Sequence, residues 1–171
     1  RIVGDTAKHM RLVVDANILV AELIRVRGRK LIVRPELELC MAEKAWDETT
    51  YELNKRIETM IQKADATDMS SYGISHAHQE AVFSQKVGQD LLRNAIALAE
   101  GKVSVIPHEF YAPYETVARN RIPRDPNDWF TVALALAVNG DIWTLDNDFL
   151  GCGIATWTTD TLLTHLDSSN Y

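Results

Sequence analysis

With 171 residues, 46% of them hydrophobic and 25% charged, the chain has the make-up of one globular domain able to bury a sizeable core. No apolar run approaches the roughly 18 residues of a membrane span, and the polar opening RIVGDTAKH lacks the apolar centre of a secretory signal. A net charge of −6 argues against a broad basic surface for tight nucleic-acid binding, although clustered catalytic carboxylates would themselves make the count acidic.

Residues 1–9 carry no core pattern and are expected to be an expression remnant or disordered, ahead of a single domain over 10–167 and a frayed tail over 168–171. Met10–Val14 is rich in β-branched and apolar residues and reads as a buried strand. It ends in Asp15-Ala16-Asn17, after which a helix opens. Asp15 and Asn17 suit a capping role; they also stand at the carboxyl end of a strand, where sites form in open α/β sheets. The basic cluster at 25–30 (RVRGRK) is either a solvated loop or the lining of a groove that follows phosphates. Residues 37–41 alternate as a second strand, and Cys40 within them pairs with no nearby thiol. Cys40 and Cys152 form no metal-ligand pattern, so reduced, buried thiols in a cytoplasmic protein are expected.

A long amphipathic helix is predicted over 42–66, with Glu43, Asp47, Glu48 and Glu52 in its first turns. A loop at 65–75 leads to a second long helix over 76–100, and the two should pack as a helical hairpin between strands 2 and 3. His76 and His78 fall on different faces of that helix and do not suit a shared metal. Val103–Ile106 is a third strand stopped by Pro107, and 108–119 is helical with a break near Pro113. Arg119, Arg121 and Arg124 then precede Asp125. Guanidinium groups hold phosphate in forked geometry, which makes Arg121 and Arg124 candidates for gripping a phosphodiester; a solvated loop is the plainer alternative.

Residues 124–149 concentrate the acidic signals. Asp125 is a candidate N-cap with Pro126 at the first helical position, which places Asp128 in the first turn. The run 132–138 is apolar nearly all round, and Asn139-Gly140 ends it because Gly supplies a left-handed conformation. A short strand over 142–145 is followed by Asp146-Asn147-Asp148. A last strand over 154–157 and a helix over 159–166 capped by Thr158 complete the chain. Strands alternating with helices predict a mostly parallel sheet covered on both faces. A helix start beside a strand end would bring Asp128 and Asp146 together, and like charges that close make most sense around a cation.

Oxygen-only ligands select hard cations such as Mg²⁺ or Mn²⁺, which favour phosphate substrates. No serine–histidine or cysteine–histidine arrangement competes, and there is no phosphate-cradling GxxxxGK[ST] loop or GxGxxG turn. Hydrolysis of a phosphodiester by metal-activated water is the chemistry that best matches these residues.

The order of these motifs resembles the PIN-domain nucleases, in particular the VapC-type toxins of bacterial toxin–antitoxin pairs. The strand ending in Asp15-Ala16-Asn17, an acid early in the second helix (42–66), Asp128 opening a late helix, and Thr144-Leu145-Asp146-Asn147-Asp148-Phe149 carry the likeness. The resemblance implies an α/β, Rossmann-like PIN domain with a central sheet of about four or five strands flanked by helices. It also implies cleavage of RNA with Mg²⁺ or Mn²⁺, a homodimer, and a small antitoxin whose tail occupies the active groove. By position, Asp15, Asp128 and Asp146 match the family's acidic set and Asp148 a frequent further acid. Asn17 and Thr144 match residues that hold the strand-end turns. Counting from Ala42 favours Glu48 as the second acid, with Glu43, nearer the strand end, as its alternate. The 65–101 region is longer than in compact toxins. Two other classes compete: a metal-dependent phosphatase, and a non-catalytic module that binds RNA or protein. The Asp-x-Asp wanted by one large phosphatase family is Asp15-Ala16-Asn17 here, and unpaired carboxylates kept without a metal would be costly to a mere binding module.

Overall fold

The computed structural model describes residues 9–68 and 74–168, with side chains at 9–63 and 85–168. The apolar runs form strands β1 (Met10–Val14), β2 (Leu37–Ala42), β3 (Val103–Ile106), β4 (Asp141–Trp143) and β5 (Thr156–Trp157). They make one sheet in the order β3-β2-β1-β4-β5, every pairing parallel. Leu12, Val13 and Val14 are successive and fully buried. Neighbours on a strand point to opposite faces, so β1 is covered on both sides, which explains its unbroken apolar run.

The chain leaves β1 toward β2 and β3, then returns to its other side as β4 and β5. The sheet therefore changes direction between β1 and β4, and in open α/β sheets the crevice beyond the strand ends at that point is where ligands bind. The buried helix α7 (Trp129–Val138) packs against β1, β2 and β4, and so carries its first residues to this edge.

Helices α1 (Ala16–Ile24) and α2 (Val26–Ile32) follow β1, so the basic cluster 25–30 is mostly helix and not the solvated loop foreseen for it. Its arginines have local partners. Arg25 pairs with Glu22 at 3.1 Å, Arg27 with Asp160 at 2.9 Å, and Arg29 donates to the carbonyls of Leu23 and Ile24 at 2.9 and 2.8 Å. Those two carbonyls belong to the last turn of α1, where orphan acceptors need a donor.

The long helices α3 (Glu43–Asp68) and α4 (Ile74–Lys102) form the hairpin between β2 and β3, each running past the boundary expected from sequence. They approach closely at Gly88, where a Cβ would lie 2.4 Å from Cδ1 of Ile61. The centre of the loop between them, the side chains of His76 and His78, and both chain ends beyond residues 9 and 168 lie outside the described residues. After β3 come α5 (His108–Tyr111), a tight turn over Ala112–Tyr114 and α6 (Glu115–Arg121), the break falling at Pro113 as foreseen. Helix α8 (Thr159–Ser168) closes the fold, with Thr158 Oγ1 accepting from Thr161 N at 3.2 Å. Cys40 and Cys152 are both free and buried. Among the described residues no helix is long and apolar enough to cross a membrane.

Two local readings change. The left-handed residue that ends α7 is Asn139, at φ +50°, and not Gly140. Gly140 serves close packing instead, since a Cβ there would come within 3.1 Å of the Arg11 carbonyl oxygen. Asp125 caps a single tight turn over Pro126–Asp128, accepting from Asn127 N at 3.1 Å, and α7 proper begins at Trp129. Asp128 thus stands at the threshold of α7 and not inside its first turn, and its carboxylate makes no capping bond.

Candidate active site

Asp15 is only 7% exposed, directly after the buried run of β1. It precedes α1, yet its side chain makes no capping bond to that helix. The carboxylate is held from the neighbouring strand: Thr144 Oγ1 donates to Asp15 Oδ2 at 3.1 Å. The same hydroxyl oxygen accepts from Asp146 N at 2.9 Å, and Asp146 Oδ1 accepts in turn from Asp148 N at 2.8 Å. One short relay therefore links the end of β1 to the turn after β4. Fully buried Phe149 anchors that turn beneath the surface.

Asp128 arrives from another direction. Arg119 Nη1 donates to the Pro126 carbonyl at 2.7 Å and fixes the turn that carries Asp128, while the next residue, Trp129, is 2% exposed and wedges the start of α7 into the core. Glu48 is exposed on the second turn of α3.

Electrostatics tie these groups together. Burial pushes the Asp15 carboxyl up to about 7; the Thr144 hydrogen bond opposes this, and the charges of Asp128 and Glu48 add to it. Asp128 is pushed up to about 6, first by burial and then by Asp125, Glu48, Asp146 and Asp148. Loss of solvation and like charge both disfavour ionisation, so the two groups report a crowded acidic patch.

Of the residues singled out from sequence, Asp15, Thr144, Asp146 and Asp148 are joined by the relay, and Asp128 and Glu48 by their charges. Glu43 points elsewhere: its Oε2 accepts from His108 N at 3.3 Å, linking the start of α3 to α5. Asn17 is exposed in the first turn of α1. Arg121 Nη1 donates to the Cys152 carbonyl at 3.3 Å and so steadies the loop before β5. Arg124 is largely exposed and stands 3.7 Å from Asp148. Sequence reading used Asp125 only as a cap, whereas it is also the strongest charge acting on Asp128; the spacing Asp125-x-x-Asp128 was the available signal.

The donor set suits a hard divalent cation, being carboxylate oxygens on rigid elements that repel one another. The side chains converge without closing into a cage: among the described residues, no three His, Cys, Asp or Glu stand close enough to hold an ion jointly. The fit rests on donor chemistry and on the charge a cation would offset.

An all-parallel sheet with an acidic edge at the point where its strand order reverses places the protein among Rossmann-like α/β domains. The family model for the PIN domain matches residues 13–167, and the chain belongs to the PIN-domain family. PIN domains are generally nucleases and typically use divalent metals, so membership implies a nucleic-acid substrate. A comparison with curated proteins finds no match.

Proposed function

We propose that this protein is a divalent-metal-dependent endoribonuclease that hydrolyses RNA phosphodiester bonds. The observation that carries the reading is the hydrogen-bonded relay from Asp15 through Thr144 to Asp146 and Asp148, which gathers carboxylates from two strand ends at one edge, with Asp128 and Glu48 near enough for their charges to act on Asp15. A protein gains nothing in stability from such crowding, so its retention favours a role for the cation that would relieve it.

Asp15, Glu48, Asp128 and Asp146 would hold Mg²⁺ or Mn²⁺, with Asp148 supporting a second ion or a water. When bound, the metal supplies an activated water and offsets charge on the phosphoryl oxygens. Thr144 fixes the rotamer of Asp15 through its hydroxyl and the backbone of Asp146 through its oxygen. Asn17, exposed in the first turn of α1, would support the turn that follows Asp15. Arg124, largely exposed in its pairing with Asp148, would turn to a phosphate that enters, while Arg121 would serve by holding the adjoining loop. The likeness to VapC-type toxins supports a toxin role in the cytoplasm, as a homodimer with a small antitoxin.

Cleavage of a mixed single-stranded RNA pool with Mn²⁺, with Mg²⁺ and with chelator tests the reading, alongside Asp128→Asn. Cutting that needs metal and falls roughly a hundredfold or more in the variant is expected. Cutting that persists in Asp128→Asn would misplace the site. No cutting, with no metal bound by calorimetry, would favour a non-catalytic binding module.

A further inference from the structure

A polyanionic strand must approach an edge that carries at least five carboxylates on a chain of net charge −6. Cations at the rim decide whether it can lie there, because phosphate contacts dominate nucleic-acid affinity. Three of the cations near the acids are engaged by protein oxygens. Arg119 binds Glu115 at 2.8 Å and the Pro126 carbonyl at 2.7 Å, Arg121 binds the Cys152 carbonyl at 3.3 Å, and Arg124 stands 3.7 Å from Asp148.

Lys44 differs. Its Nζ lies over the Trp129 ring, 5.2 Å from the centroid, and among the described residues it makes no ion pair. Two constraints seat it beside the acids. Lys44 and Glu48 are one turn apart on α3 and share its face. Trp129 directly follows Asp128, and its ring also receives the Arg119 guanidinium at 5.1 Å. The ring is 2% exposed and cannot move to follow a ligand, so it fixes where the ammonium sits. A cation on an aromatic face is attracted by the ring quadrupole while its N–H donors remain available to an oxygen acceptor.

We propose that Lys44 is a substrate-binding residue, its ammonium held on Trp129 to take the non-bridging oxygens of an RNA phosphate lying next to the bond that is cut. This rests on the nuclease reading above and adds to it one named phosphate contact. Lysine suits the task as a compact point charge that tolerates any base sequence.

The test measures binding of a short fluorescein-labelled single-stranded RNA, with Ca²⁺ in place of the catalytic metal so that the strand stays intact. Lys44→Ala is expected to weaken binding about tenfold and to lower the slope of log Kd against log salt by about 0.7, one phosphate contact on a single strand. With Mn²⁺ and cleavage as the readout, KM should rise while kcat stays within about twofold. Lys44→Arg should restore affinity and slope. Wild-type affinity and slope in Lys44→Ala would overturn the proposal and leave the nuclease reading standing. Weaker binding with an unchanged slope would also overturn it, marking Lys44 as packing for Trp129. Failure of the wild-type protein to bind RNA at all would overturn both readings together.

Discussion

Two buried carboxylates lie within one stretch of chain and are treated in opposite ways. Glu22, on α1, is fully buried; its Oε1 meets the Arg25 guanidinium at 3.1 Å, while its Oε2 has no hydrogen-bond partner among the described residues. Asp15, at the end of β1, is nearly as buried, but among the described residues its side-chain donor is a neutral hydroxyl and the charges acting on it are negative. A protein that needs a buried acid for its fold supplies a cation, as around Glu22; Asp15 is instead surrounded by more acid. The contrast separates a carboxylate kept for structure from one kept for something the protein binds.

The tightest feature on the Glu22 side is steric. Gly28 of α2 lies against α1 so closely that a Cβ would stand 2.3 Å from the Glu22 backbone oxygen and 2.4 Å from its Oε2. Gly28→Ala should therefore destabilise the fold by about 3 kcal/mol, read as a fall in the denaturant midpoint at unchanged m-value. A change below about 1 kcal/mol would mean that the helices can part and that Glu22 is less confined than the comparison requires.

The Asp15 side makes the opposite prediction for a polar swap. Its folded value, about 7, lies above the 3.8 of an ordinary aspartate. Below about pH 4 the group is protonated in both states and the stability it contributes is fully present. Between about pH 4 and pH 7 the unfolded state ionises first, so stability falls as pH rises and is lost through the folded pKa. Asp15→Asn should remove that slope and stabilise the metal-free protein at pH 8 by up to roughly 2–3 kcal/mol, measured by thermal or urea unfolding. Mn²⁺ should stabilise the wild type by mass action and the variant much less. A variant less stable than wild type at pH 8 without metal would undo the contrast with Glu22.

Thr144→Val removes the donor to Asp15 and the acceptor for Asp146 N in one step. We expect a loss of about 1–2 kcal/mol. Because the Thr144 bond holds the Asp15 value down, the acid limb of the cleavage profile should also move to higher pH. An unmoved limb would detach Asp15 from the reaction. The smallest effect belongs to Arg25→Gln: more than half of the Arg25 side chain is exposed, and the glutamine amide keeps a donor for the buried Glu22 carboxylate, so the change should cost about 1 kcal/mol. Cleavage activity should stay unchanged, since neither partner touches the acidic edge.

Much of the architecture was legible. The unbroken apolar run of β1, the stop at Pro107 after β3 and the hydrophobic α7 announce a parallel sheet with helices between its strands, because period and burial are local properties of sequence. Boundaries were less so: α3 runs on to Asp68 where composition suggested a loop from residue 65, and α2 forms from the basic cluster RVRGRK. Glycine and arginine there looked like loop signals. Close packing at Gly28 and arginine bonds to the end of α1 outweigh that local preference, and neither partner is visible in the segment itself.

For the candidate site, sequence by itself determined which carboxylates end strands and begin helices, since position along the chain fixes that much. Only the tertiary structure decided their company. It turned Glu43 toward His108, set Glu48 close enough to act on Asp15 and Asp128, and linked Asp15 to Asp146 through a hydroxyl 129 residues away in sequence. It also laid Lys44 on Trp129 beside them. Spacing along a chain records how an element begins and ends. The potential at a carboxylate depends on distances through space, and those exist only once β1 and β4 lie side by side.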